Sequence, residues 1–275
     1  MSQFRPLALV GLQTQTILSE GEYINSSGQT VAIASQLEQA KAGTISYPPD
    51  APLSEQFEAR YDTRIYVHNQ TTLNAAQLYV STGYSTVALN FASARHPGGG
   101  WLSGAQAQEE SLGRASGLVA CIEDDEMYQR HLRLRDALYT NSAIYSPEVP
   151  VFRDDYNNLL DRPYLLSFIT APAVNAAVVL QRDSSRRKEV YETMHVRIRR
   201  VLSIAAMHQH TALILGAWGC GVFGNDPFTI AKLFQEALSG PFAGVFDEVV
   251  FAILDSSKQE RYIGPFYRVF GRQDA

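Results

Sequence analysis

Two adjacent carboxylates, Glu109 and Glu110, stand seven residues after a run of three glycines, Gly98-Gly99-Gly100, and directly follow Gln108. A carboxyl can pass a proton to the leaving oxygen of a sugar and then help a water to attack. Glycines let main-chain N–H groups approach an anion closely. A second loop, residues 216–227 (GAWGCGVFGNDP), offers the same device and contains a literal G-x-G-x-x-G over 219–224. Successive helical residues are turned by about 100°, so Glu109 and Glu110 do not straddle one bond as a two-carboxylate glycosidase pair does. The simpler arrangement is one carboxyl that moves the proton and a neighbour that holds a hydroxyl.

The elements that must position these residues read as an α/β chain. Residues 1–60 are helix-rich, with candidate helices over 4–19 and 31–42 and a break at ISYPPDAP. Strands are expected at 64–69, 86–92, 163–172, 211–218 and 248–255, with one or two short strands in 137–153. Helices are expected over 71–83, 184–208 and 226–238, and in a tail that Pro265 kinks or breaks. Ser103 and Gln106 resemble a capping box, which predicts that the glutamate helix starts near Gly104 and shows Glu110, Gly113, Gly117 and Cys121 on one face. Alternation of this kind predicts a sheet covered by helices on both sides, with ligands beyond the carboxyl ends of its strands, where both glycine loops fall.

Composition narrows the function. The 275 residues carry a formal charge of −5 and are 45% hydrophobic, so no global basic surface invites direct DNA binding. The basic stretch 186–200 reads first as the solvated face of a helix, and second as a track for a polyanion. No apolar run suits a membrane span and no signal peptide is evident. Two cysteines give no disulfide framework, which makes a cytoplasmic protein the default. The six histidines form no metal signature, and neither a metal nor a cofactor is expected. The second loop leaves a nicotinamide-dependent oxidoreductase as a competitor, with Asp255 as its ribose-binding acid. Against it, Asn225-Asp226-Pro227 starts the following helix after the last glycine, whereas a dinucleotide fingerprint opens the helix itself.

Gly98-Gly99-Gly100, the seven-residue spacer and Gln108-Glu109-Glu110, with NFASARHP before them and GAWGCGVFGNDP after, resemble the microbial-type poly(ADP-ribose) glycohydrolases over roughly residues 60–255. The resemblance implies a three-layer macrodomain, a mixed sheet between helices, over residues 61–275. Residues 1–60 then form an N-terminal helical extension. It implies hydrolysis of ribose–ribose O-glycosidic bonds in poly(ADP-ribose), on free polymer or ADP-ribosylated proteins, with release of ADP-ribose and a place in the DNA damage response. By position, Glu110 is the catalytic acid and Glu109 the partner holding ribose hydroxyls. Gly98, Gly99 and Gly100 with Gly219, Cys220, Gly221 and Val222 clasp the diphosphate, Phe223 presses on the distal ribose, and Asn90 and Gln108 join the substrate contacts. A non-catalytic ADP-ribose-binding macrodomain is the alternative that leaves the glutamate pair unexplained.

Overall fold

The computed structural model describes residues 7–272. In chain order the elements are α1 (Leu7–Glu20), β1 (Glu22–Ile24), β2 (Thr30–Ala32), α2 (Ala34–Gly43), β3 (Ile45–Tyr47), β4 (Arg64–His68), α3 (Thr72–Ser81) and β5 (Thr86–Phe91). Then come α4 (Gln108–Ala115), α5 (Leu118–Ile122), α6 (Glu126–Arg133), β6 (Ala143–Arg153), β7 (Leu159–Ala171) and α7 (Ala176–Arg182). A 3-10 turn leads into α8 (Arg187–Met207), followed by β8 (Ala212–Leu215), α9 (Pro227–Ser239), β9 (Glu248–Ala252) and α10 (Ile263–Phe270).

Seven strands form one mixed sheet in the order β3-β6-β7-β5-β8-β9-β4. Only β6 runs against the rest; β7, β5, β8, β9 and β4 pair parallel to one another. The inner strands TVALNF, ALIL and EVVFA are buried almost end to end, as a parallel sheet covered on both faces requires. One face packs against α7–α10 through residues such as Val179, Ile198, Phe234 and Phe266. The other packs against α3–α6 through Leu73, Leu112, Leu118 and Met127. The result is the three-layer α/β macrodomain arrangement, with α1, the β1–β2 hairpin and β6 joined by a third cluster of Ile17, Tyr23, Ile33 and Phe152.

Several expectations are corrected. The first six residues, including the start of the 4–19 helix, lie outside the described residues. The ISYPPDAP break begins with a strand: β3 pairs antiparallel with β6, which ties the N-terminal segment into the main sheet. Residues 137–153, expected to give one or two short strands, give a single strand of eleven residues. The glutamate helix starts at Gln108 rather than near Gly104, because Gly104 has φ +86° and Ser103 Oγ donates to Gly100 O instead of capping a helix. That helix ends at Ala115. Ser116 turns to extended backbone and bridges Val151, so Gly117 and Cys121 do not continue the face of Glu110. Pro265 breaks nothing, since it sits in the first turn of α10, where its missing N–H has no helical partner to lose.

Candidate active site

β5 and β8 lie side by side, so the loops that leave their carboxyl ends, 92–107 and 216–226, meet at one rim of the sheet. This is where an open α/β sheet places a ligand.

α4 is fixed to that rim by its first residue. Gln108 Oε1 accepts from Phe91 N (2.9 Å), while Nε2 donates to Leu89 O (2.7 Å) and Thr72 Oγ1 (3.1 Å). Both donors of its amide are committed inside the protein, so Gln108 sets the helix against β5 instead of offering its amide to a ligand.

The next two side chains turn back onto the triple glycine. Glu109 is 4% exposed, and its carboxylate accepts from Ser93 N (2.6 Å) and Gly98 N (3.1 Å). Burial pushes its pKa up to about 8; hydrogen bonds from Ser93, Gly98 and the Asn90 side chain pull the other way, and neighbouring Glu110 adds to the rise. Glu110 has a different environment. Its Oε1 accepts from Gly100 N (3.0 Å), and its Oε2 is buried without a hydrogen-bond partner. Asn90, fully buried on β5, donates to Thr170 Oγ1 (3.2 Å), and its Oδ1 is likewise unpartnered. Buried polar atoms without partners are uncommon, and two of them at one sheet rim mark a place built to receive polar groups.

The structure revises the part given to the triple glycine. Gly98 and Gly100 donate to the two glutamates, and Gly99 N donates to His96 O (2.9 Å), so all three amides already have acceptors in the chain. The glycines are required for another reason. Gly99 has φ +58°, and a methyl there would lie 3.0 Å from Glu110 Cδ, 3.1 Å from Glu109 Oε2 and closer still to Glu110 Oε1. Gly99 is bare so that both carboxyls can close on it, whereas a methyl on Gly98 would meet Trp101 and Val119, and one on Gly100 would meet Ala105 and Ser103. Arg114, one turn beyond Glu110 and 2% exposed, holds the loop from beneath by donating to Trp101 O (3.3 Å) and Ala105 O (2.9 Å).

The second loop keeps its amides. Among the described residues, the N–H groups of Gly219, Gly221, Val222 and Phe223 have no hydrogen-bond acceptor. Asn225, buried, pins the loop by donating from Nδ2 to Val174 O (2.8 Å) and Gly219 O (3.0 Å). Gly219, at φ +73°, lies against Ala173 and Asn225, which leaves no room for a side chain. Asp226 then caps α9 through Thr229 N, with Pro227 at its first position, as expected. Free amides in succession make an anion cradle without any cation. Phe223 is half-buried, with its ring 6.3 Å from that of Tyr139. Val222 is 91% exposed, so its side chain packs on nothing and its N–H is what it offers a ligand. Cys220 is 5% exposed, burial raises its thiol well above the ordinary range, and its N–H donates to Ala217 O (3.1 Å), so it is a packed residue that, against expectation, offers no amide to the cradle.

Other expectations resolve on the same geometry. Asp255 cannot serve a ribose: its carboxylate caps α10, accepting from Tyr262 N (2.7 Å) and Ile263 N (3.1 Å). Burial opposes its ionisation, yet these bonds and those from Ser257 hold its pKa down to about 2. The basic stretch 186–200 has a solvated face, with Arg187, Lys188 and Glu192 exposed, and a packed one: Arg197 is buried and donates to Pro172 O and Asn141 Oδ1, and Arg200 donates to Pro48 O and Asn141 O. Among the described residues no cluster of His, Cys, Asp and Glu could hold a metal ion, and no helix is long and apolar enough to cross a membrane. Residues missed in the sequence are Ser93, Arg114, Thr170, Asn225 and Tyr139. Only Asn225, inside the Asn-Asp-Pro run, carried a local signal there.

Residues 12–154 match the family model for the microbial-type PARG catalytic domain, a match that begins within α1 and so takes in most of the segment before residue 60. No curated protein sequence matches the chain. Among solved structures, poly(ADP-ribose) glycohydrolase from Thermomonospora curvata is 43% identical, over 96% of this chain and 99% of that one, with a TM-score of 0.92. The same enzyme bound to the inhibitor ADP-HPD is 44% identical, over 95% and 98%, with a TM-score of 0.90. Poly(ADP-ribose) glycohydrolase from Deinococcus radiodurans in complex with ADP-ribose is 42% identical, over 85% and 96%, with a TM-score of 0.79.

Proposed function

The chain belongs to the microbial-type poly(ADP-ribose) glycohydrolase family and hydrolyses poly(ADP-ribose), and from that premise we propose how its own residues divide the work. Glu110 is the proton donor. The observation that carries this assignment is its split carboxyl: one oxygen is held by Gly100 N–H and the other is sheltered and unpartnered, available to a glycosidic oxygen. Glu109 has both oxygens engaged by Ser93 and Gly98, so it acts as a positioning residue that fixes the glycine turn and, through it, Glu110.

The diphosphate of the unit to be released lies on the amides of Gly219, Gly221, Val222 and Phe223, and Phe223 backs the distal ribose. Asn90 Oδ1 accepts from a ribose hydroxyl. As the ribose–ribose C–O bond breaks, the bonding pair leaves with the oxygen of the next unit, which takes the Glu110 proton. The oxocarbenium-like ribose is then attacked by water, whose proton returns to Glu110. The fixed diphosphate lies beside the developing cation and stabilises it without added protein charge. ADP-ribose is the product. Free polymer and polymer on modified proteins are the substrates, in the cytoplasm, and no cofactor is needed. Residues 61–275 form the catalytic domain, with 1–60 an extension that lends β3 to its sheet.

The test is turnover of defined polymer by the wild type and by Glu110→Gln. Loss of one general acid reduces the rate by about 10²–10⁴-fold, while calorimetric affinity for ADP-ribose persists. A variant that still releases ADP-ribose at the wild-type rate refutes the role of Glu110.

A further inference from the structure

A cavity of about 250 Å³ opens on the far side of the segment that backs Phe223, lined by Arg135, Asp136, Ala137, Val179, Arg182 and Arg186. Three guanidinium groups against one carboxylate are unusual in a chain of net charge −5. Arg186 is neutralised, by Asp136 (2.7 Å) and Glu189 (2.6 Å). Among the described residues the other two form no ion pair, although Arg182 is near enough to Asp136 to help Arg186 hold that carboxyl's pKa down. Arg182 donates only to Arg135 O (3.0 Å), and among the described residues the Arg135 guanidinium has no carboxylate within ion-pair distance. Both side chains are exposed and converge on the same opening.

This cavity is one strut away from the candidate active site. Ala137 O accepts from Asn175 N (3.0 Å), the cap residue of α7, and Ala177 N on that helix donates to Phe223 O (2.9 Å). Tyr139, held at φ +58°, packs its ring toward Phe223 on one side, and Arg95 lies 5.8 Å over it on the other. Arg95 also donates to Leu134 O (3.0 Å) at the start of the same segment. Residues 134–139 therefore connect the distal-ribose end of the cleft to the arginine cavity.

We propose that Arg135 and Arg182 form a second anion site that holds the diphosphate of the neighbouring polymer unit, the one on the leaving side of the cleaved bond. The inference rests on the glycohydrolase reading above. The released unit's diphosphate sits on backbone amides in the 219–223 loop. A polymer continues beyond the distal ribose, and each further unit brings two more negative charges. Arginine matches a phosphate with paired N–H donors, and two guanidiniums outside any ion pair at a concave surface are the complement to a diphosphate. The site would favour polymer over free ADP-ribose, since the product lacks the second diphosphate.

Binding separates this from the activity itself. Glu110→Gln holds short oligomers of poly(ADP-ribose) uncut, and its affinity for a defined oligomer and for ADP-ribose is measured by calorimetry. The oligomer binds about tenfold more tightly than ADP-ribose at low salt, and the advantage shrinks as salt is raised. Adding Arg135→Gln and Arg182→Gln removes the advantage while the affinity for ADP-ribose stays the same. The pair Arg135→Lys and Arg182→Lys keeps part of it. Equal affinity for oligomer and monomer, survival of the advantage in the double Gln variant, or an equal loss of ADP-ribose affinity each overturns the proposal. Failure of the glycohydrolase reading shows separately, as absence of wild-type turnover.

Discussion

Gly99→Ala tests whether the triple glycine exists for the carboxyls that close on it. Two effects of the added methyl can be separated. The first is backbone strain: Gly99 has φ +58°, where an L side chain is disfavoured by about 1–2 kcal/mol. At 275 residues, that lowers the melting temperature by roughly 2–8 °C. The second is the collision with Glu110 Oε1 and Glu109 Oε2. The nearest atoms are the ends of side chains rather than backbone, so the Glu110 carboxyl swings aside by on the order of 1 Å and the fold survives. A displacement of that size at a reacting group lowers the rate by about 100-fold. Gly83→Ala is the control, because Gly83 has φ +87° and nothing within 4 Å of a methyl. It carries the strain without the collision. Both variants are assayed for thermal unfolding and for ADP-ribose release from polymer. They should lose similar stability, and only Gly99→Ala should lose activity. If Gly99→Ala keeps kcat within threefold of Gly83→Ala, the steric account of the loop is wrong.

Gly221→Ala probes the anion cradle, since Gly221 has neither positive φ nor any neighbour within 4 Å of a methyl. The variant should melt at or slightly above the wild-type temperature and bind ADP-ribose about tenfold more weakly by calorimetry. Unchanged affinity would show that the diphosphate lies elsewhere. Glu109 links stability to pH: the native state keeps its proton up to about 8, whereas the unfolded chain releases it near 4.5. Its contribution is full below pH 4.5 and is lost as pH rises through 8. Denaturant unfolding from pH 5 to 9 should show stability falling with pH, with a flatter slope for Glu109→Gln. Gln108→Ala strands Phe91 N and loosens α4 from β5. It should lower stability by about 1–3 kcal/mol in the same unfolding experiment, and kcat should fall more than ADP-ribose affinity, because the loosened helix carries Glu110.

Strand alternation, the two glycine loops and their shared rim were legible from local patterns, because buried strands such as EVVFA and the Asp226-Pro227 helix start announce themselves in a few residues. The start of α4 was not. Ser103 and Gln106 satisfy a capping pattern, but Gly104 at φ +86° ends any helix there, and a backbone dihedral of that kind is set by the tertiary fold. Ser116 was lost for the same reason: its turn to extended backbone depends on β6, more than thirty residues away.

The triple glycine gives the most instructive difference. From the sequence, glycines beside an acidic pair suggest amides bound to an anion from outside. The structure shows those amides taken up from inside, by the carboxyl oxygens of Glu109 and Glu110. The two loops then complement each other. The first uses up its amides to fix two carboxyls, and the second, held by Asn225, leaves its amides unpaired. Exchanging these assignments would fail on hydrogen bonding: a diphosphate on the 98–100 amides would have to displace both glutamates from the N–H groups that hold them. The division between a loop whose amides hold the carboxyls and a loop whose amides stay unpaired follows from that competition. On the reading proposed above, a sugar between the two loops is the part of the substrate that meets Glu110 Oε2.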